Sequence, residues 1–184
     1  MNLLDTNKFT KEKIEFLSKI RILEKNLIHV QGFPKCIAKT DKLKSNEYFG
    51  QYGDIIKAMI KYKINPDTNK KSYSAYITYS NEKEAILAII CIDFLLIEGK
   101  IIRAFFGNTK YCKYFLNNEK CLNFDKCSFK HEIANDNDII IDSNTNFSYD
   151  DHIKLCKQII DYSNPETKNF ILNLKRPKKK HISF

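Results

Sequence analysis

Three cysteines and a histidine, Cys112, Cys121, Cys127 and His131, stand in the spacing C-x8-C-x5-C-x3-H. Thiolates are soft ligands and imidazole is a borderline one, so the four together can close a tetrahedral shell around Zn2+. Such a shell leaves no position for water, which makes the expected site structural and not catalytic. Iron–sulfur clusters usually take four cysteines, so zinc is the expected metal. The segment around the ligands holds little apolar material and is too short to fold on burial alone. Ion binding is therefore expected to supply its folding free energy. The chain has six cysteines, and Met1-Asn2-Leu3-Leu4-Asp5 has no basic lead followed by an apolar run. Without a secretory leader the thiols are expected to stay reduced, so tight cysteine spacing reads as metal binding. Cys91 falls in an apolar stretch and reads as core, and Cys36 falls in a loop.

This spacing resembles the CCCH zinc-finger family, whose aromatic side chains stack on unpaired RNA bases. The matching rings are Tyr111 before the first cysteine, Tyr114 and Phe115 after it, and Phe129 between the third cysteine and the histidine. Packing over the metal is the competing role for these rings. Lys113, Lys120, Lys126 and Lys130 surround them. Three thiolates offset most of that charge, so the finger alone is expected to bind weakly.

The elements that must hold these residues come next. The chain has 184 residues, 43% apolar and 29% charged, enough for one ordinary domain with appendages. Lys plus Arg number 31 against 22 Asp plus Glu, a formal charge of +9 that favours an anionic partner. Lys175, Arg176, Lys178, Lys179 and Lys180 supply more than half of it, so the remainder is only mildly basic. The longest apolar stretch, Ala85 to Ile97, is interrupted by Asp93 and is too short to span a bilayer. No membrane partner is expected.

Six segments are expected: 1–25 an N-terminal helix and linker, 26–107 a first domain, 108–132 the finger, 133–147 an acidic linker, 148–163 a helix, and 164–184 a basic tail. Thr10 caps a helix predicted to run to about Lys25. Ile28–Phe33, Ile55–Tyr62, Tyr73–Tyr79 and Ile101–Phe106 read as strands. Helices are predicted at Leu43–Tyr52, stopped by Gly53, and from a Ser80 cap to about Cys91. Ser148-x-x-Asp151 reads as an acidic capping box opening the last helix.

The resulting α+β order, βαββαβ, resembles an RNA recognition motif (RRM), whose four-stranded sheet offers one face to single-stranded RNA. Period-2 alternation sends Ile28, Val30, Tyr73, Ala75, Ile77 and Tyr79 to the core. It sends His29, Gln31, Ser74 and Tyr76 to the open face, with Lys61, Arg103 and Phe105 alongside. His29 and Ser74 stand where the family usually carries aromatics. The resemblance therefore implies weaker stacking, centred on Tyr76 and Phe105.

The order of domains narrows the likeness. Asn26-Leu27, Glu47 to Gly53, Ser74 to Tyr79, the following Ala85–Cys91 helix and the junction Gly107 to Asn118 are similar to the RING ubiquitin-ligase family of the fourth Not protein in the Ccr–Not deadenylase complex. The likeness covers about residues 20–132. Outside the finger, Cys36, Cys91, Cys156, His29, His152 and His181 stand at no RING spacing. No ligase activity, and no other catalytic set, is expected of this chain. The resemblance implies an RNA-binding module in mRNA turnover or translation control, in the cytoplasm and, by its basic tail, the nucleus. Its expected partners are single-stranded RNA and Not-family scaffold subunits or the ribosome. Alternative readings are a protein scaffold, the later part of a RING ligase, and a splicing factor.

Overall fold

Period-2 burial decides the architecture. In the computed structural model, residues 9–135, 138–142, 148–162 and 165 are described, and the basic tail from Lys175 lies outside them. The elements in chain order are α1 (Lys11–Lys19), β1 (Ile20–Phe33), α2 (Thr40–Lys44), β2 (Ile55–Ile64), β3 (Lys71–Tyr79), α3 (Glu82–Ile92), β4 (Leu96–Ile97), β5 (Lys100–Ile101), β6 (Arg103–Thr109), α4 (Lys113–Leu116), β7 (Ile139–Asp142) and α5 (Tyr149–Tyr162). They form two compact units. One comprises Lys25–Gly107 with Ser148–Phe184, and the other Met1–Glu24 with Asn108–Phe147. No helix among the described residues is long and apolar enough to cross a membrane.

The first, the sheet unit, is an RRM-like α+β fold with strand order β2-β3-β1-β6. Ile28 pairs with Ile77 and Val30 with Ala75, and all four are fully buried. Ile102, Ala104 and Phe106 of the last strand segment and Ala85, Ile86, Ala88, Ile89 and Ile92 of α3 are buried too. Tyr79 is fully buried and donates its hydroxyl to the Phe49 carbonyl at 2.9 Å. Tyr73 is only half-buried, with its ring against those of Phe33 and Tyr62. Leu96 and Ile97 pair with Ile101 and Lys100 in a small hairpin, so the fourth long strand starts at Arg103 and not at Ile101.

The helix expected over Leu43–Tyr52 is split into α2 and a single 3-10 turn at Phe49–Tyr52. The chain folds tightly between them: the Gly50 N–H donates to the Ser45 carbonyl at 3.0 Å, and a Cβ on Gly50 would lie 2.2 Å from the Lys44 oxygen. The cap of α3 is Asn81, not Ser80. Asn81 accepts from the Glu84 N–H at 3.1 Å, whereas Ser80 donates to the Glu84 carboxylate. At α5 the capping box forms as read: the Ser148 hydroxyl accepts from the Asp151 N–H, and the Asp151 carboxylate accepts from the Ser148 N–H. This helix belongs to the sheet unit, with Leu155, Cys156 and Ile159 buried along one side.

The other, the cysteine-bearing unit, corrects the N-terminal helix. Thr10 does cap α1, accepting from the Lys13 N–H, but the helix ends at Lys19. Ile20–Leu23 are strand and pair antiparallel with Asp142–Ile139. Ile20, Ile22 and Leu23 fit helical and strand periodicity equally well, and pairing with β7 decides between them. The segment read as an acidic linker thus contains β7.

Candidate metal centre and nucleic-acid interface

Backbone pairing brings the distant ligands together. Tyr111 forms a parallel bridge with Lys130. The Cys112 N–H donates to the Lys130 carbonyl at 3.0 Å and the Lys130 N–H to the Lys110 carbonyl at 3.0 Å, which sets Cys112 beside His131. Cys112 then opens α4, with the Leu116 N–H donating to its carbonyl. Cys121 and Cys127 flank a single 3-10 turn at Phe124–Lys126. The three Sγ atoms and an imidazole nitrogen of His131 all lie within 4.8 Å of one another.

This arrangement fits a metal ion. His131 Nε2 is buried and has no hydrogen-bond partner among the described residues, a costly state that a metal bond relieves. Burial opposes ionisation of Cys112. The N–H groups of Phe115 and Tyr114 and the thiols of Cys121 and Cys127 outweigh it and hold the Cys112 thiol below its usual range. N–H groups aimed at a ligand sulfur favour its thiolate form, which is the form that binds a metal.

The same unit holds a small core of Leu17, Ile20, Ile22, Tyr111 and Leu116, rimmed by Phe9, Ile14, Phe115 and Ala134. This corrects the reading of two rings. Tyr111 is 3% exposed and accepts from the Ala134 N–H through its hydroxyl, so its ring is core and not a base platform. Phe115 is half-buried against Phe9, Tyr111 and His131, with centroids 5.8, 6.1 and 6.4 Å away. Phe129 is 43% exposed and Tyr114 is half-buried, with the Lys110 ammonium 5.0 Å from the first ring and Lys113 4.9 Å from the second. Sequence reasoning missed Phe124. It is 64% exposed, with its ring 4.8 Å from that of His131. An aromatic residue between the second and third ligands was the available signal.

On the sheet unit, register places His29 opposite Tyr76 and Tyr76 opposite Met59. The His29 and Tyr76 rings are stacked at 4.3 Å and 5°. The Lys61 ammonium lies 4.7 Å from the Tyr76 centroid, and the Gln31 amide nitrogen lies 3.3 Å from His29 Nδ1. His29, Gln31, Lys61 and Tyr76 thus form one cluster, in which Tyr76 already has a ring and a cation against it. Arg103 and Phe105 share β6 but are otherwise engaged. Arg103 Nε holds Asp93 at 3.0 Å, and Phe105 lies 5.3 Å from the His152 ring of α5.

Burial, aided by Lys61 and Lys63, holds the His29 pKa down at about 4. Burial also holds His152 at about 4, against the pull of Asp151 and Asp93. In the unfolded chain a histidine protonates near pH ~6.5. Between these values the unfolded state binds more protons, so stability is present above pH ~6.5 and declines as the pH falls toward ~4. Thermal melts over this range should show the midpoint falling, and His29→Gln should flatten part of the slope. Identical slopes for the two proteins would contradict this.

Comparison with known proteins bears on both units. Residues 38–103 match the RNA recognition motif family. Over 119 residues the chain is 40% identical to a general negative regulator of transcription from Schizosaccharomyces pombe, covering 63% of this chain and 24% of that protein. Over 129 residues it is 34% identical to general negative regulator of transcription subunit 4 from Saccharomyces cerevisiae, covering 63% of this chain and 22% of that protein. The chain thus spans less than a quarter of the length of these curated relatives. Among solved structures it is similar to the Mip6 RRM3 domain, with 24% identity, a TM-score of 0.38, and coverage of 45% of this chain and 93% of that one.

Proposed function

We propose that this chain, which carries an RNA recognition motif and is homologous to general negative regulators of transcription in two yeasts, is a module that binds single-stranded RNA by base stacking. The observation that carries the proposal is the set of half-exposed to exposed rings with cations beside them. Tyr114 and Phe129 meet Lys113 and Lys110 on the cysteine-bearing unit, and Tyr76 meets Lys61 on the sheet unit. Stacking on such rings contributes about 1–3 kcal/mol per base and tolerates any base, while the ammonium groups meet phosphate. Zn2+ is the metal proposed for Cys112, Cys121, Cys127 and His131, and its role is to fix the backbone that presents Tyr114, Phe124 and Phe129.

The proposed setting is control of mRNA turnover or translation, as part of a Not-type subunit acting in the cytoplasm and nucleus. The relatives' names support a role in regulating gene expression. Catalysis is not proposed for these residues. Ubiquitin-ligase activity would need a RING, whose ligand spacing this chain does not carry. A scaffold reading finds support in Ile56, Tyr62 and Ile64 of β2, which are 64, 57 and 50% exposed. Partners that survive nuclease treatment would favour it.

A labelled ten-nucleotide oligouridine, titrated at several salt concentrations, tests the RNA reading. Affinity is expected to weaken as salt rises, because bound lysines release counterions. The double variant Tyr76→Ala/Phe129→Ala is expected to lose about tenfold or more. No binding at low salt, or an unchanged double variant, would reject it.

A further inference from the structure

The β2–β3 hairpin runs past the rest of its sheet. β1 pairs with β3 only as far as Phe33 opposite Tyr73, whereas β2 and β3 continue to Lys63 opposite Ser72 and Ile64 opposite Lys71. The turn beyond is held in place. Asn65 Oδ1 accepts from the Asp67 and Thr68 N–H groups at 2.9 and 3.0 Å, and the Asn65 N–H donates to the Lys70 carbonyl at 2.9 Å. β2 stands at one end of the strand order, and among the described residues no strand pairs with its outer edge.

Lys61 to Ile64 alternate between cation and apolar side chain. The Lys61 ammonium lies over the Tyr76 ring on the open face. Period 2 puts Lys63 on that face with it, and Tyr62 and Ile64 on the other. On this other side the core runs out to the surface. Phe33 is fully buried, Tyr73 is half-buried with its ring 6.4 Å from that of Phe33, and Tyr62 lies 6.3 Å further on. Tyr62 and Ile64 are exposed, with the Lys71 ammonium 4.7 Å from the Tyr62 centroid. Among the described residues no carboxylate forms an ion pair with Lys61, Lys63, Lys70 or Lys71. From Lys61 to Ser72 the chain holds one acid, Asp67.

Lysines on an edge strand ordinarily guard it against pairing. Here the guard is selective. Antiparallel pairing with a second copy would set lysine against lysine, which is destabilising. A strand with carboxylates at alternate positions turns the same lysines into favourable cross-strand partners, and its intervening apolar side chains fall beside Tyr62 and Ile64. A nucleic-acid strand also supplies anions, but it has no use for an exposed Ile64. We propose that the outer edge of β2 at Lys61–Ile64 is a docking site for an extended acidic segment of a partner protein, one that alternates carboxylates with apolar side chains and adds to the sheet as a further strand. This goes beyond the RNA-binding reading and uses none of its stacking rings, so either can fail alone.

A labelled nine-residue peptide alternating glutamate with leucine, titrated into the full chain, is the probe. It should bind at low salt and shift the amide resonances of residues 60–64. A peptide of the same composition with its glutamates grouped at one end should bind less well, because only the alternating one matches both faces. Tyr62→Ser/Ile64→Ser should melt close to wild type, since both side chains are exposed, and should lose about tenfold or more in peptide affinity. Lys63→Glu, which leaves the apolar residues in place, should lose affinity as well. Oligouridine binding should be unchanged in Tyr62→Ser/Ile64→Ser. No peptide binding at low salt, equal binding of the two peptides, or wild-type peptide affinity in both variants would overturn the site. Loss of oligouridine affinity in Tyr62→Ser/Ile64→Ser would assign the edge to RNA, and a dimer abolished by that variant would assign it to a second copy. Either result would overturn the proposal.

Discussion

Cys121→Ser is expected to abolish metal binding and unfold the cysteine-bearing unit, whereas the wild-type chain should hold one zinc ion. The reasoning runs through burial. Among the described residues the core of this unit is small: a cluster of Leu17, Ile20, Ile22, Tyr111 and Leu116 with four partly buried neighbours, besides buried Leu23 and Ile141. Such a core stabilises by only a few kcal/mol, at about 1.5–3 kcal/mol per fully buried side chain before the entropy of ordering the chain is subtracted. A structural zinc site contributes roughly 10–16 kcal/mol of apparent binding free energy at neutral pH, and that energy is folding energy. Loss of one thiolate opens the shell, and without the metal His131 Nε2 is left buried with no hydrogen-bond partner among the described residues. Chelation of the wild-type chain should give the same result reversibly. Metal content by elemental analysis and the protection of the Leu116 amide by hydrogen exchange read the two effects. Cys36→Ser is the matched control, because Cys36 is exposed and lies in the other unit. A Cys121→Ser chain that keeps its metal and its Leu116 protection would refute the site.

Gly32→Ala should cost about 2–5 kcal/mol, much of the stability of an ordinary domain. Gly32 has φ +83° and sits where the β1–β3 register shifts between Gln31 and Phe33. A Cβ there would lie 2.6 Å from the Ile101 carbonyl oxygen, a backbone atom that cannot swing aside. The left-handed conformation costs about 1–2 kcal/mol for alanine, and the overpacking adds roughly 1–3 kcal/mol. Gly99 offers the internal comparison. Its φ is +73°, but a Cβ would meet nothing within 4 Å. Gly99→Ala should therefore show the conformational cost alone. Denaturant melts of both variants, monitored on the sheet unit, separate strain from collision. Equal losses at the two glycines would mean that the Ile101 contact contributes nothing.

Much of the site was legible in the chain because its information is local. Cys112, Cys121, Cys127 and His131 were identified by ligand type and spacing, and the four converge. The βαββαβ order was legible because residues such as Ile28, Val30, Ala75 and Ile77 alternate with polar neighbours, and a half-buried strand imposes that period. Thr10 and Ser148 were legible as caps, since each bonds within three residues of itself.

Two of the readings that changed are local, the α3 cap at Asn81 and the break before Phe49, and the others depend on residues far apart in sequence. Ile20–Leu23 suit a helix as well as a strand until Ile139–Asp142 arrive to pair with them. Tyr111 looks like a platform until Leu17, Ile20 and Leu116 close over it. Phe105 looks open until His152 comes within 5.3 Å. The ligand set, the alternation of the strands and the caps at Thr10 and Ser148 follow from the sequence, because ligand type, period and short-range hydrogen bonds are properties of a few neighbouring residues. The tertiary structure alone decided which rings are core and which remain exposed, because burial is set by the surfaces that distant segments bring against each side chain.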